Sequence, residues 1–257
     1  MSLVTAARFI VLLVACLSLA APVRADLPET VRRVKPAVVA VGTYLPTRSP
    51  AFRFLGTGFA VGDGLTIATN AHVIPTLLDT DKRETLAVVV PQGMRGDVRS
   101  VVKLRADPTH DLAILRITAG AALPALVLHD AALDEGASIA FTGFPIGSAL
   151  GLKPVTHRGI VSALTPISIP RGNARELNAR QIRSLANSAF SVYQLDATAY
   201  PGNSGSPMYD PDSGQVVGVL NMVFVKETKE NVLSKPSGIS YAIPARYLQD
   251  LLDAAGR

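Results

Sequence analysis

Three residues that lie far apart along the chain could together form a nucleophilic centre. Ser204 lies in the stretch "PGNSGS" at 201–206, whose glycine, proline, asparagine and serine are also the usual residues of a tight turn. A serine hydroxyl is a poor nucleophile at neutral pH unless a histidine accepts its proton and an acid orients that histidine. Attack by Ser204 would therefore require one histidine and one aspartate held in turns beside strands.

His72 and Asp111 are the best candidates for these partners. His72 directly follows an apolar strand pattern in "LTIATNAHVI", and Asp111 opens the apolar segment "DLAILRI". A carboxylate at the mouth of such a strand is costly to desolvate without a partner. Taken singly, each residue also suits an ordinary loop or turn. The order His72, Asp111, Ser204 is the chain order of chymotrypsin-type triads and differs from that of subtilisin and the α/β-hydrolases.

The elements that must position these residues are short strands. β-Branched or alternating segments recur between Gly, Pro and Asp turn signals, and Gly-Asp-Gly at 62–64 predicts a hairpin. Helical patterns do not alternate with these strands, so an all-β sandwich or barrel is favoured over a parallel sheet. A helix is predicted at 245–256 behind Pro244, and a weaker one at 174–190. No internal repeat is visible.

The first 25 residues are typical of an export signal. Arg8 precedes an apolar run from Phe9 to Ala21, and the segment ends in Val-Arg-Ala. The chain is therefore expected to be exported, to the periplasm or outside the cell. Two alternatives remain open, which are a retained membrane anchor and a lipid on Cys16 in the lipobox-like "LVAC".

Composition excludes several classes of function. The chain has 257 residues, 48% hydrophobic and 18% charged, enough for a sizeable core. Cleavage after Ala25 would remove Arg8 and Arg24 and leave 23 basic and 20 acidic residues in the mature chain. So small an excess of positive charge does not indicate a nucleic-acid partner. Cys16 is the only cysteine, so no disulfide is expected in the mature chain. The four histidines are dispersed, so neither a metal nor another cofactor is expected.

Several motifs together resemble the trypsin-like serine peptidases of the bacterial HtrA (Deg) group. They include "GTGFAVGDGLTIATNAHVI", "DPTHDLAILRI" and "LDATAYPGNSGSPMYD", and the likeness runs from about Val31 to Leu252. The resemblance implies one peptidase domain at 26–257, made of two antiparallel six-stranded β-barrels with a C-terminal helix. The boundary between the barrels is expected near 125–135. His72 and Asp111 would come from the first barrel and Ser204 from the second.

The resemblance also implies roles for residues around Ser204. The oxyanion hole would be formed at Gly202, Asn203 and Ser204, with the N–H groups of Gly202 and Ser204 as donors. Asn203 carries no charge, so the ion pair that orders this loop in digestive trypsin-like enzymes is not expected. Ser206 departs from the usual glycine at its position, which puts the geometry of the turn in question.

Substrate selection is expected from a pocket beside Ser204. By the resemblance, Thr198 would lie at its base, and its wall would be formed by Val219, Leu220 and Asn221. No acidic residue stands there, so a small or medium apolar residue is expected before the cleaved bond. The insertion at 171–190 carries Arg171, Arg175, Arg180 and Arg183. It is interpreted either as a solvated surface loop or as a lid.

The resulting hypothesis is an exported serine endopeptidase that acts on proteins or peptides. Contact with a membrane is expected only through the N-terminal segment or a lipid on Cys16. A PDZ domain, which commonly follows HtrA peptidases, is not expected here, and oligomerisation is left open. A catalytically weak or inactive scaffold on the same fold is the alternative, and esterase activity would follow from the same triad.

Overall fold

The computed structural model describes residues 26–92, 95–147, 151–167, 190–222 and 238–256. The predicted signal, the lipid site at Cys16 and nearly all of the insertion at 171–190 lie outside these residues. Within the described ranges, neither helix has the length and apolar character needed to cross a bilayer.

The first half of the chain forms a closed antiparallel barrel. A short helix, α1 (Leu27–Val34), and a 3₁₀ turn precede it. Its strands are β1 (Val38–Tyr44), β2 (Phe52–Val61), β3 (Thr66–Asn70), β4 (Thr85–Gln92), β5 (Arg95–Asp107) and β6 (Leu112–Ile117). They pair around the barrel in the order β1-β2-β3-β6-β5-β4. The hairpin predicted from Gly-Asp-Gly is confirmed, since β2 and β3 pair across it.

The second half forms another closed barrel with the same strand order. Its strands are β7 (Ser138–Gly143), β8 (Val155–Ile167), β9 (Phe190–Asp196), β10 (Pro207–Tyr209), β11 (Val216–Asn221) and β12 (Ile239–Pro244). They pair in the order β7-β8-β9-β12-β11-β10, and α2 (Ala245–Ala255) follows. The predicted fold class is confirmed, because two six-stranded antiparallel barrels precede a C-terminal helix.

Apolar burial joins the two barrels. One core cluster includes Val41 and Leu115 of the first barrel together with Tyr209 and Val219 of the second. A separate cluster that includes Phe141 fills the interior of the second barrel. Removing this apolar area from water is the main stabilising term, and it holds the two barrels against each other.

Candidate active site

Strand register brings His72 and Asp111 to one edge of the first barrel. β3 and β6 are antiparallel neighbours, and Asn70 lies opposite Leu112. His72 comes two residues after the end of β3, in a 3₁₀ turn, and Asp111 comes one residue before β6 begins. Both side chains therefore emerge from adjoining turns, although 39 positions separate them along the chain.

Two hydrogen bonds join these residues. His72 Nδ1 lies 2.5 Å from Asp111 Oδ2, and the backbone N–H of His72 donates to Asp111 Oδ1 at 2.9 Å. The Asp111 side chain is 9% exposed, whereas that of His72 is 32% exposed. A neutral imidazole that donates from Nδ1 has Nε2 free to accept a proton. The pair can thus act as an oriented general base.

The backbone of Asp111 adopts an uncommon conformation. Its φ is +53°, in the left-handed region where Asp and Asn occur more often than most residues. The carbonyl of Asp111 accepts from the N–H of Ala71 at 3.1 Å and from Asn70 Nδ2 at 3.0 Å. These bonds hold the residue in this conformation, and its carboxylate faces the turn that carries His72.

Asn221 supplies a further bond to the same carboxylate. Its Nδ2 donates to Asp111 Oδ2 at 2.7 Å, and the residue is fully buried at the end of β11. Sequence reasoning placed Asn221 in the wall of a substrate pocket and missed this bond. One feature of the sequence could have indicated the bond, since the amide of Asn221 directly follows the apolar run "VVGVL". A polar group buried at the end of such a strand requires a hydrogen-bond partner. Asn221 therefore ties the second barrel to the acid of the first.

The turn that carries Ser204 is held against the first barrel. The N–H of Thr57 on β2 donates to the carbonyl of Ser204 at 2.8 Å, and Gly205 N–H donates to Leu220 O at 3.0 Å. A Cβ at Gly56 would lie 2.8 Å from Val73, next to His72, and 3.0 Å from Ser204 O. The absence of a side chain at Gly56 therefore lets the Ser204 turn lie close to the turn that carries His72.

The residues before Ser204 form a tight, crowded turn. Gly202 has a φ of +101°, and a Cβ there would overlap the carbonyl oxygen of Phe144. Thr57 Oγ1 donates to Gly202 O at 2.7 Å and accepts from the N–H of Phe144 at 3.1 Å. Asn203 N–H donates to Tyr200 O at 3.0 Å. Only glycine combines this φ with the space available, so position 202 requires it.

The match to a family of known proteins agrees with this geometry. A family model described as a trypsin-like peptidase domain matches residues 56–219, which include His72, Asp111 and Ser204. The chain belongs to the trypsin-like peptidase family.

Relatives and solved structures of this family confirm the HtrA resemblance. Serine protease HTRA3 of Homo sapiens is 31% identical over 235 residues, which is 88% of this chain and 45% of that protein. A protein named as a probable periplasmic serine endoprotease, DegP-like, from Halomonas elongata is 29% identical and covers 78% of this chain and 35% of its own length. The chain thus spans less than half of these relatives. The crystal structure of the serine endoprotease from Yersinia pestis is 26% identical, with a TM-score of 0.62, and covers 91% of this chain and 67% of its own.

The other predicted site residues of this trypsin-like domain differ in their burial and hydrogen bonding. Asn203 is fully buried, and neither atom of its side-chain amide has a hydrogen-bond partner in the described part of the chain. Thr198 is half-buried on the segment between β9 and Ser204. Val219 and Leu220 are fully buried core residues. Ser206 is accommodated, since its N–H donates to Asn203 O at 3.0 Å, and its buried Oγ has no described partner.

Metal ligands do not cluster in the trypsin-like domain as far as it is described. No group of three or more His, Cys, Asp or Glu side chains there is arranged to hold an ion.

Proposed function

We propose that this chain is a serine endopeptidase that hydrolyses peptide bonds in protein or peptide substrates. The observation that carries the proposal is the carboxylate of Asp111, which is bonded both to His72 at 2.5 Å and to Asn221 at 2.7 Å. Since Asn221 ends the strand that is bonded to the Ser204 turn, the acid–base pair of the first barrel is joined to the nucleophile of the second.

In the proposed reaction, Ser204 Oγ attacks the carbonyl carbon of the substrate while His72 Nε2 accepts its proton. Asp111 holds the imidazole in the required tautomer and stabilises its charged form. The proton then passes to the departing amine, which leaves an acyl group on Ser204. Water attacks this ester with His72 again as the base, and the free serine is restored.

The turn at Gly202, Asn203 and Ser204 is proposed as the oxyanion hole, with the N–H groups of Gly202 and Ser204 as donors. The left-handed φ and crowded surroundings of Gly202 support this role, because they fix the backbone before substrate arrives. One such donor contributes roughly 10²–10³ in kcat.

We further infer that the residue before the cleaved bond is small or medium and apolar. The support is that Thr198 is half-buried, that Val219 and Leu220 are apolar, and that Asn221 is bonded to Asp111. Export to the periplasm or the medium is part of the same proposal. It rests on the pattern of the first 25 residues and on a relative whose name includes "periplasmic".

A fluorophosphonate probe tests the catalytic proposal directly. The wild-type protein should be labelled and should cleave an unfolded protein, because Ser204 is activated by His72. Ser204→Ala should show neither reaction while keeping the same circular dichroism spectrum and thermal unfolding midpoint.

A matched variant shows whether the probe labels Ser204 because His72 activates it or only because the serine is exposed. His72→Gln should remain folded but lose labelling by at least about 10³-fold, since the hydroxyl loses its base. A folded wild-type protein that neither reacts with the probe nor cleaves unfolded protein would contradict the proposal and favour the scaffold.

A further inference from the structure

A second histidine–aspartate pair lies in the turn that leads into Asp111. His110 Nδ1 is 2.5 Å from Asp107 Oδ2, the same separation as that between His72 Nδ1 and Asp111 Oδ2. The side chains of His110 and Asp107 are only 23% and 27% exposed. The proposed reaction does not use this second pair, although His110 directly precedes Asp111 in the chain.

The carboxylate of Asp107 also closes the turn between β5 and β6. Its Oδ1 accepts from the N–H of Thr109 at 2.8 Å and from that of His110 at 3.2 Å. An aspartate that accepts from backbone groups just ahead of it stabilises a tight turn. Asp107 therefore fixes both the backbone and the ring of His110, one residue before the positive φ of Asp111.

Two aromatic side chains pack on the imidazole of His110. The ring of Tyr247 on α2 stacks on it, with 4.1 Å between the centroids and 17° between the planes. The ring of Phe190, at the start of β9, meets it edge-to-face at 4.7 Å between centroids, and it also packs on Tyr247. Aromatic contacts of this kind have specific geometries, so they restrict the orientation of the imidazole. The C-terminal helix and the second barrel therefore hold His110 together with Asp107.

The backbone of Asp111 depends on how its neighbour is held. A residue with a positive φ keeps that conformation only where its surroundings over-determine it. The bonds from Asn70 and Ala71 fix the carbonyl of Asp111, on the C-terminal side of its Cα. The angle φ describes rotation about the N–Cα bond, so it also requires a fixed peptide group on the N-terminal side. That peptide group joins His110 to Asp111.

We propose that His110 is a positioning residue for Asp111, the acid of the proposed acid–base pair. Its ring is bonded to Asp107 and packed on Tyr247. It thereby fixes the peptide group before Asp111 and directs the Asp111 carboxylate at His72. The inference rests on the proposed peptidase function and adds to it a residue that acts on the reaction only through Asp111.

Two substitutions separate the contacts of His110. His110→Ala removes both the bond to Asp107 and the aromatic packing, and it should lower kcat by about 10–10²-fold, because misplacing a reacting group by roughly 1 Å costs about 10². His110→Phe keeps a ring but loses the bond, so kcat should fall by about threefold to tenfold, the range of one hydrogen bond. Steady-state cleavage of a quenched peptide should show little change in KM, since the proposed role involves no contact with substrate.

The β2–β3 hairpin supplies a matched control in the same barrel. Asp63 Oδ1 accepts from the N–H of Leu65 at 3.0 Å and from that of Thr66 at 3.2 Å, the same pattern as in the Asp107 turn. This hairpin precedes β3, whereas His72 follows it. Asp63→Ala and Asp107→Ala should each lower the thermal unfolding midpoint, but only Asp107→Ala should lower kcat.

Proton NMR measures the effect on the Asp111–His72 bond without catalysis. A proton in a short hydrogen bond between an imidazole and a carboxylate gives a signal far downfield, and His72→Gln assigns the signal of the bond to Asp111. In Ser204→Ala, this signal should shift and broaden when His110→Ala is added. It should stay unchanged when Asp63→Ala is added instead.

The positioning role and the peptidase function fail on different results. An unchanged kcat or an unchanged His72 signal in folded His110→Ala would overturn the positioning role. If His110→Ala did not fold, a kcat of His110→Phe equal to that of the wild type would overturn it. Failure of the wild type to react with fluorophosphonate would instead overturn the peptidase proposal.

Discussion

The two barrels share one strand order but satisfy their buried polar groups differently. In the first barrel, Asp111 receives hydrogen bonds from Asn70, Ala71 and His72, and Thr69 Oγ1 donates to Thr57 O at 2.7 Å. Five buried side-chain atoms lack a hydrogen-bond partner among the described residues, and only one of them, Asn70 Oδ1, lies in this barrel. The proposed acid–base pair, His72 and Asp111, is therefore positioned by a nearly complete hydrogen-bond network.

The second barrel contains the other four atoms without partners. They are Nε2 of His157, both amide atoms of Asn203, and Oγ of Ser206. The Ser204 turn is held mainly by backbone hydrogen bonds and close packing, together with one side-chain bond from Thr57 Oγ1 of the first barrel to Gly202 O at 2.7 Å. The difference teaches that the turns carrying His72 and Asp111 are positioned mainly by polar contacts, whereas the turn carrying Ser204 is positioned mainly by close packing. Changes to polarity should therefore act mainly on the first barrel, and changes to volume mainly on the second.

The largest expected effect comes from changing polarity in the first barrel. Asp111→Asn should lower kcat about 10⁴-fold, because an amide no longer selects the tautomer that has Nδ1 protonated. The fold should persist, since Asn also tolerates a positive φ. Steady-state kinetics and thermal unfolding of the same preparation measure the two properties.

The hydrogen bond from Asn221 of the second barrel to Asp111 provides the control for this experiment. Asn221→Leu removes one donor from Asp111 but leaves the bond to His72 intact. It should lower kcat by about tenfold, the value of one hydrogen bond to a charged group, with little change in KM. A loss as large as that of Asp111→Asn would show that the second barrel shares the polar positioning, which contradicts the comparison.

A smaller effect should follow from added volume in the second barrel. A Cβ at Gly143 would overlap Ser206 Oγ and lie 2.9 Å from Asn203 Oδ1. Gly143→Ala should therefore displace the turn that carries Ser204 and lower kcat by about 10²-fold, the cost of misplacing a reacting group by roughly 1 Å.

Removing the obstructing hydroxyl should reverse much of this loss. Ser206→Gly alone should remain active, and the double variant Gly143→Ala/Ser206→Gly should recover most of the lost kcat. If the double variant were no faster than Gly143→Ala, the overlap with Ser206 would not be the cause.

The smallest effect is expected at an ion pair on the first barrel that lies outside the active site. Hydrogen bonds from Thr43 and Arg48 lower the pKa of Glu84 to about 2. Glu84→Gln should reduce the free energy of unfolding at pH 7 by about 1–2 kcal/mol and leave kcat unchanged.

The pH dependence of this difference follows from the lowered pKa. The contribution of Glu84 is fully present above its ordinary pKa of 4.5 and is lost as pH falls towards 2. The free energies of unfolding of the wild type and Glu84→Gln, measured with denaturant, should therefore differ by a constant amount from pH 7 to 5. They should converge below pH 4.5. If the difference in free energy of unfolding between the two proteins stayed constant down to pH 2, the lowered pKa of Glu84 would be contradicted.

Much of the fold could be predicted locally from the sequence. Alternating apolar residues mark the strands, Gly-Asp-Gly marks the β2–β3 hairpin, and Pro244 marks the start of α2. His72, Asp111 and Ser204 stand out because their types and order suit one reaction. The bond from Asn221 to Asp111 and the left-handed backbone of Asp111 could not be predicted, since both depend on contacts between distant segments.

The sequence by itself determined the strands, the turn residues and the chemical groups available for a reaction, because these follow from local propensities and side-chain types. Only the tertiary structure decided the pairing of Asn70 with Leu112, the strand order common to both barrels, and the bond from Asn221 to Asp111. Strand register and barrel closure arise from burial of apolar faces contributed by segments far apart in the chain, so no single segment contains that information.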